Sequence, residues 1–294
     1  PDRTGTSMAD DHSPDRMPPG SDYTSDDIQV LEGLEAVRKR PGMYVGGTGL
    51  NALHHLVYEC VDNAIDEVMA GYASLVTVRI GVDGSCTVTD DGRGMPLGPM
   101  KHENPMINGR PAVEVIMTQL HAGGKFNSES YSVSAGLHGV GVSAVNAVSE
   151  WLKMEIRREG KLWFQEYERG VPKGPVEPIG TSKKNGTKIT FKPDTQIFTM
   201  TDFSFEVLNN RLREISFLNA GLEVTLEDER GEGKKVTHRF EGGIREFVES
   251  LNKKKTPLHD SVIYLHSVKD GVDIEIAMQW SEPYNESIVP YTNN

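Results

Sequence analysis

Apolar residues recur every three to four positions in several segments, which predicts amphipathic helices. The longest such segment runs from about Leu50 to Ala70, and Gly71 ends it. Its apolar stripe predicts that one helix face packs on a core. Shorter segments with the same period cover residues 28–40, 112–120, 142–148 and 205–218, and a further helix is predicted to begin near Gly243.

Other segments alternate between apolar and polar residues, which predicts strands. Leu75–Ile80 and Ser85–Asp90 alternate on either side of a turn that contains Gly84, so a hairpin is predicted there. Strand-like runs then dominate residues 151–191, 222–240 and 262–280.

Segments that lack both periods indicate loops and domain limits. Residues 97–111 contain three prolines and two glycines and predict a surface loop. Residues 1–22 are rich in Pro, Asp, Ser and Gly and predict a disordered tail. We therefore expect a main domain over 23–240 and the truncated start of a second domain over 241–294.

The composition narrows the class of protein. The 294 residues are 37% hydrophobic and 25% charged, with no apolar run near the roughly 18 residues that a membrane span needs. With no signal-peptide core at the N-terminus, a cytoplasmic location and no membrane partner are expected. The net charge of −12 argues against a broad DNA-binding surface. Lys253–Lys255 forms one local basic cluster, for which a solvated loop is the alternative interpretation.

The helix over residues 50–70 has an unusual polar face. His55, Glu59, Asn63 and Asp66 lie within roughly 80° of one another at helical spacing. A solvated surface is the plain interpretation, but this face has no Lys or Arg to form stabilising pairs. An amide between two acids suits a hard cation such as Mg²⁺. Under that interpretation, His55 orients Glu59, which then deprotonates a water molecule.

Glycine-rich segments follow at three places. Asp90–Pro96 contains Gly92 and Gly94 directly after a strand, which indicates either a simple turn or a backbone that approaches a ligand. In the latter case, Asp90 can accept a hydrogen bond from an amino group such as that of adenine. A third, weaker segment is Asn185-Gly186-Thr187, where Thr187 can bond a base or a bridging water, although the segment alone predicts only a turn.

The second glycine-rich segment lies between residues 122 and 141 and runs into a helix. Backbone N–H groups before a helix favour phosphate, and Lys125 adds a positive charge, although a flexible loop without a ligand has the same composition. Lys125 is followed by Phe126, so this is no P-loop. Gly136, Gly139 and Gly141 run in the reverse order of the dinucleotide fingerprint, so a Rossmann motif does not fit either.

Together these segments resemble the ATPase family shared by type II topoisomerase B subunits, gyrase-like heat-shock chaperones, sensor histidine kinases and MutL mismatch-repair proteins. The boxes that carry the resemblance are Glu59-x-x-x-Asn63-x-x-Asp66, Asp90-x-Gly92-x-Gly94, Gly136–Gly141 and Gly186-Thr187. Within that family the resemblance is strongest to the gyrase B branch and spans nearly everything from Tyr23 to Asn294. The topoisomerase IV branch is the near neighbour and stays open.

This resemblance implies an α+β two-layer sandwich, the GHKL (Bergerat) ATP-binding fold. In it, helices cover a mixed, largely antiparallel sheet, and the truncated start of an α/β transducer domain follows. ATP and Mg²⁺ are the implied cofactors. Glu59 would be the general base, assisted by His55, and Asn63 would hold Mg²⁺. Asp90 would bind the adenine amino group, with Thr187 assisting through water.

The resemblance also implies the remaining nucleotide contacts. Arg93 and Arg158 would lie at the pocket mouth, where aminocoumarin inhibitors of the family reach. The other implied binding residues are Tyr23, Ile28, Asp66, Gly94, Met95, Pro96, Gly123, Gly124, Lys125, Tyr131, Gly136, Leu137, His138, Gly139, Val140 and Gly141. Of these, Tyr23 and Ile28 would cross to a second copy of the chain.

The implied partners are that second copy in an ATP-dependent dimer, the gyrase A subunit, and DNA through the full-length enzyme. A lysine from the family's second domain reaches the γ-phosphate, and this chain ends before it. Two alternatives to an ATP-hydrolysing domain therefore remain. One is a fragment that binds ATP without significant turnover. The other is the histidine-kinase branch, which the absence of a preceding phosphoacceptor-type hairpin disfavours.

Overall fold

A computed structural model describes residues 33–122, 141–282 and 285–292 of the chain. Its helices are α1 (Gly33–Lys39), α2 (Gly42–Val45), α3 (Leu50–Met69), α4 (Ala112–Thr118), α5 (Gly141–Ala147), α6 (Phe205–Leu218) and α7 (Gly243–Asn252). Its strands are β1 (Leu75–Ile80), β2 (Cys86–Asp90), β3 (Ser149–Arg158), β4 (Lys161–Glu168), β5 (Val171–Pro172), β6 (Glu177–Thr181), β7 (Gly186–Pro193), β8 (Glu223–Asp228), β9 (Lys234–His238), β10 (Thr256–Pro257), β11 (Ile263–Lys269), β12 (Val272–Met278) and β13 (Ser281–Glu282).

Most of these strands form one mixed sheet. Its order is β5-β4-β3-β7-β2-β1-β8-β9, with β6 also pairing with β4. Among the described strands of this sheet, β1 and β8 run parallel and the other pairs are antiparallel. Buried residues alternate with more exposed ones along β1 and β2, which is typical of a sheet with one covered face.

Helices supply the second layer. Helix α3 packs on β2, α5 on β3 and α6 on β8. The apolar stripe of α3 is buried as its periodicity predicts, and Leu53, Val57 and Val61 are fully inaccessible. The α+β two-layer class with a mixed, largely antiparallel sheet is therefore confirmed.

A histidine inside the core fixes α3 against α6. His54 Nδ1 lies 2.9 Å from the carbonyl oxygen of Leu50, and His54 Nε2 lies 2.9 Å from the backbone nitrogen of Ser204, the N-cap of α6. The Ser204 N–H can only donate, so Nε2 accepts and Nδ1 carries the proton. Burial lowers the pKa of His54, which is consistent with this neutral form.

An ion network holds the C-terminal end of α5. The Asp194 side chain is 1% exposed, and its Oδ2 accepts from Arg38 at 2.7 Å and from Arg169 at 2.8 Å. Burial alone would raise the pKa of Asp194, but hydrogen bonds from Gln196, Arg38 and Arg169 hold it below its ordinary value. Arg38 also donates to the carbonyl oxygen of Ala147 at 2.7 Å, so α1 is tied to the end of α5.

The sequence prediction and the structure differ at a few points. The described part of the helix predicted over 28–40 is α1, and residues 28–32 lie outside the described residues. Pro41 ends α1, but it also begins the unpredicted one-turn helix α2. The loop predicted over 97–111 has a short antiparallel stem, in which Pro99 bridges to Pro111.

The C-terminal residues form smaller elements. Strands β11 and β12 pair as an antiparallel hairpin, as predicted over 262–280, and β10 pairs with β13. Helix α7 packs on α6 and β12. The domain boundary near residue 241 stays a prediction.

Candidate functional site

Asp90 lies at the end of β2 with its carboxyl group almost buried. It is 8% exposed, and its Oδ1 accepts hydrogen bonds from the backbone N–H groups of Gly92 at 2.9 Å and Thr187 at 3.1 Å. Burial raises the pKa of Asp90 to about 6, although both hydrogen bonds lower it. Among the described residues none donates to Oδ2, so this oxygen is available to an external donor.

Glycines pack tightly around Asp90. Gly94 has φ +77°, and a Cβ there would lie 3.0 Å from the carbonyl oxygen of Arg157. Gly186 has φ +135°, and a Cβ there would collide with the carbonyl oxygen of Asp90. The first and third glycine segments are therefore not plain surface turns, because each is pressed against a neighbouring backbone.

Arg93 is fixed by a residue that the sequence reasoning missed. Glu67 accepts from the Arg93 backbone N–H at 2.9 Å, and its two carboxylate oxygens bind the Arg93 guanidinium at 3.0 and 2.8 Å. That guanidinium stacks 3.9 Å from the ring centroid of Tyr72. Glu67 follows Asn63 by one helical turn, so continuing the i+4 series from His55 and Glu59 would have found it.

A cleft of about 410 Å³ opens beside this arginine. Its lining residues are Tyr72, Leu75, Asp91, Gly92, Arg93, Lys184 and Asn185. The Asp90 carboxyl is not among them, so the cleft borders the candidate pocket rather than containing it.

Arg158, predicted at the pocket mouth, does lie beside the first glycine segment. Its guanidinium donates to the carbonyl oxygen of Gly94 at 2.7 Å. Met95 packs partly buried against the core, and Pro96 is exposed. The structure therefore brings Asp90, Gly94, Arg158 and Thr187 together, and their role in binding a nucleotide stays a prediction.

The polar face of α3 is organised around Glu59. His55 Nε2 lies 3.1 Å from Glu59 Oε1, and this hydrogen bond raises the pKa of His55. Asn63 Nδ2 donates to the carbonyl oxygen of Glu59 at 2.7 Å, which fixes the amide. Asp66 departs from the expected polar surface because it is only 1% exposed. Its place in the nucleotide site stays a prediction.

Gly141, the first residue of α5, touches the same carboxylate. A Cβ at this position would collide with Glu59 Oε2. Helix α5, which follows the second glycine segment, thus begins beside the Glu59 side chain. The other predicted residues of that segment and of the N-terminal arm lie outside the described residues: Tyr23, Ile28, Gly123, Gly124, Lys125, Tyr131, Gly136, Leu137, His138, Gly139 and Val140.

The side chains of Asn63 and Glu59 suit a magnesium ion that would be held mainly by the phosphates of a bound nucleotide. In residues 33–122, 141–282 and 285–292 there is no group of three or more His, Cys, Asp or Glu side chains that could form a metal site. Mg²⁺ commonly takes one or two protein ligands and completes its shell with phosphate and water. The amide of Asn63 beside Glu59 fits that requirement.

Two models of known protein families match the chain. A family model described as "Histidine kinase-, DNA gyrase B-, and HSP90-like ATPase" matches residues 49–197, about half of the chain. The chain belongs to this ATPase family. The match includes α3, Asp90, the first glycine segment and Thr187. A second model, DNA gyrase B, matches residues 243–294.

Curated relatives of the chain are named as DNA gyrase B subunits. The chain is 50% identical over 277 residues to the DNA gyrase B protein of Myxococcus xanthus, covering 94% of this chain and 33% of the relative. It is 52% identical over 273 residues to that of Clostridium acetobutylicum, covering 92% and 42%. The chain thus spans between a third and a half of the length of these relatives.

A solved structure supports the same fold. The 43K ATPase domain of Thermus thermophilus gyrase B, in complex with an aminocoumarin, matches with a TM-score of 0.75 and 40% identity. The match covers 87% of this chain and 64% of that one. The chain is therefore similar to the ATPase region of gyrase B. Of the described helices α1 to α7, none combines the length and the apolar content that a membrane span requires.

Proposed function

We propose that this chain binds ATP with the adenine amino group donating to Asp90. The observation that carries the proposal is the Asp90 carboxyl itself, whose Oδ1 is engaged by Gly92 and Thr187 while Oδ2 receives no hydrogen bond among the described residues. A buried carboxylate with one open acceptor matches an exocyclic amine. The bidentate Glu67–Arg93 pair and Arg158 then border the base.

Hydrolysis would use the middle of α3. Glu59 would accept a proton from the attacking water, and His55 at 3.1 Å would keep its carboxylate oriented. Such a base contributes about 10²–10⁴-fold to rate. Support comes from Gly141, which begins a helix against Glu59 and so brings backbone N–H groups to the place where phosphates are expected. Lys125 and the glycines from 136 to 141 would complete the phosphate contacts.

Magnesium is proposed with Asn63 as its protein ligand. The bound ion would neutralise charge on the phosphates. Asn63 is held by the carbonyl oxygen of Glu59, so its amide and the base share one helical turn.

For the full-length protein we propose the gyrase B component of DNA gyrase, a cytoplasmic type II topoisomerase. ATP would close a dimer of two copies of the chain, and with the gyrase A subunit this closure would drive DNA strand passage and supercoiling. Support comes from relatives named as DNA gyrase B proteins at about 50% identity. Topoisomerase IV is the alternative, and supercoiling rather than decatenation by the reconstituted full-length enzyme distinguishes the two.

Steady-state ATP hydrolysis by this chain tests the base. The Glu59→Gln variant keeps the side-chain size and is expected to lose about 10²–10⁴-fold in rate while it still binds ATP. Glu229→Gln, an exposed glutamate at the end of β8, is the matched control. Equal rates for Glu59→Gln and wild type would overturn the assignment. ATP binding without turnover in the wild type would favour the fragment that binds but does not hydrolyse.

Calorimetric titration with ATP and Mg²⁺ tests the adenine assignment. Asp90→Asn replaces the open acceptor by a donor that faces the adenine amino group, so binding is expected to fall at least tenfold. Asp270→Asn, in the exposed β11–β12 turn, is the control. Unchanged affinity in Asp90→Asn would refute the placement of adenine.

A further inference from the structure

Arg157, next to the predicted Arg158, contacts the end of β2, the Gly94 turn and the Gly186 turn beside Asp90. It lies on β3, directly opposite Gly186 on β7. Its guanidinium donates to the carbonyl oxygen of Asp90 at 2.9 Å. These contacts cross three neighbouring strands, β2, β7 and β3.

The same residue defines the space at both glycines. A Cβ at Gly186 would lie 2.8 Å from the Arg157 guanidinium, and a Cβ at Gly94 would lie 3.0 Å from the Arg157 carbonyl oxygen. The side chain and the main chain of one residue therefore set the positions of the Asp90 strand end, the Gly94 turn and the Gly186–Thr187 turn.

The charges around Asp90 give Arg157 a second effect. Glu67 from α3 acts to raise the pKa of the Asp90 carboxyl, and Arg157 from β3 acts to lower it. Both are smaller than the effect of burial, which sets the value near 6. Arg93 lies on the same side, but its guanidinium is already paired with Glu67. Arg158 is directed to the carbonyl oxygen of Gly94.

We propose that Arg157 is a positioning residue for the nucleotide, which holds the Asp90 and Gly186 backbones in register so that the Asp90 carboxylate can accept from adenine. This inference rests on the proposed function, because it assigns Arg157 to the same adenine pocket. Arg157 acts through Asp90 and Thr187 rather than by touching the base.

Two substitutions separate its two effects. Arg157→Gln keeps a hydrogen-bond donor and removes the charge, whereas Arg157→Met removes both at similar length. Arg79→Met, an exposed arginine on β1, is the control. Affinity for a non-hydrolysable ATP analogue with Mg²⁺ is measured by calorimetry from pH 5.5 to 8, and thermal unfolding of each variant is recorded without nucleotide.

Arg157→Met is expected to bind about tenfold more weakly at pH 8, as for loss of a charge-assisted hydrogen bond. Arg157→Gln should bind the analogue nearly as tightly as wild type at pH 8. As the pH is lowered, its affinity should begin to fall at a higher pH than in wild type, because loss of the Arg157 charge raises the pKa of Asp90. Protonation of the nucleotide itself affects both proteins equally, so it cancels when the pH profiles of variant and wild type are compared. If Arg157→Met does not fold, the pH profile of Arg157→Gln still decides the matter.

The inference would be overturned if both Arg157 variants had the same affinity and the same dependence of affinity on pH as the wild type. A uniform loss that follows the unfolding temperature, without a displaced pH profile, would also overturn it because a merely structural role predicts that result. Unfolding without nucleotide isolates the Arg157–Asp90 coupling, since Arg157→Gln should displace the pH dependence of stability upward as well. If wild type fails to bind the analogue while this displacement is seen, the proposed function fails but the coupling stands.

Discussion

Two regions of the molecule have similar apolar patterns but bury them to different extents. In residues 33–240, Leu53 on α3 and Val76 and Val78 on β1 are fully inaccessible. In the β11–β12 hairpin, Leu265 pairs with Ile276 on one face, and these side chains are 55% and 43% exposed. Val272 on the same face is 57% exposed.

The difference shows that strand periodicity predicts which face of a strand is apolar, but not whether another element packs over that face. Helix α3 lies over the large sheet and excludes water from it, whereas α7 packs on β12 of the hairpin and still leaves Leu265 and Ile276 exposed. The same aliphatic residue type should therefore contribute differently to stability in the two regions. Substitution of a leucine in each region tests this directly, and three further comparisons concern a buried charge, backbone strain and surface ion pairs.

The largest effect is expected from a matched pair of leucines. Leu53→Ala removes a fully buried side chain and should lower the free energy of unfolding by about 2–5 kcal/mol. Leu265→Ala removes an exposed one and should lower it by less than about 1 kcal/mol. Urea unfolding of both variants measures the contrast. Equal losses would show that the hairpin has a covering surface in solution.

Asp90 is an exception inside the well-buried region, because burial raises its pKa from 3.8 to about 6. The native state therefore binds a proton at Asp90 that the unfolded chain releases, and the contribution of Asp90 to stability falls as pH rises from about 4 to 6. The cost of the charge is roughly 3 kcal/mol above pH 6. Asp90→Asn should recover much of it.

Thermal unfolding without nucleotide at pH 4 and pH 8 checks this expectation. The variant should exceed wild type at pH 8 and match it near pH 4. The hairpin control is Asp273→Asn, whose carboxylate is 64% exposed and whose loss should change little. A variant less stable than wild type at pH 8 would contradict the cost assigned to Asp90.

Two glycines at positive φ separate conformational strain from crowding. Gly94 (φ +77°) faces the Arg157 carbonyl oxygen, while Gly271 (φ +80°) in the hairpin turn has open space around it. Gly271→Ala should cost about 1 kcal/mol for backbone strain alone, and Gly94→Ala about 2–3 kcal/mol. Chemical unfolding compares them, and equal costs would mean that the Gly94 turn yields easily.

The smallest effects are expected at exposed ion pairs, where the two regions should not differ. Arg79 pairs with Glu227 on the large sheet, and His266 with Asp273 on the hairpin. Arg79→Ala and His266→Ala should each lower the free energy of unfolding by less than about 1 kcal/mol. A larger loss at either site would mean that surface charge, and not core burial, distinguishes the regions.

The fold and much of the site follow from local patterns. The 3.6-residue period predicts α3 and its buried face, and alternation predicts the β1–β2 hairpin with Asp90 at its end. Glycines next to Asp90 and Thr187 mark the places where backbones approach closely. All of these are properties of short segments.

Residues that act across the sheet could not be predicted from such local patterns. Arg157 matters because β3, β7 and β2 are neighbours in a particular register, which brings it to Asp90 over 67 positions of sequence. Helical angles placed Asp66 on the polar face, but they do not report what packs over it. Glu67 continues the i+4 series of α3, but its pairing with Arg93, which stacks on Tyr72, does not follow from helical spacing.

The parallel pairing of β1 with β8 has a consequence for the order in which the chain is made. Leu75 pairs with Glu223, and the intervening segment contains Asp90, α4, α5 and Thr187. At about 5–20 residues per second, a ribosome needs roughly 7–30 s to deliver β8 after β1 has emerged. During that interval one edge of an apolar strand stays open to other chains. Assembly of this domain therefore depends on a late, long-range closure, and slowed translation between these strands should lengthen its exposure to aggregation.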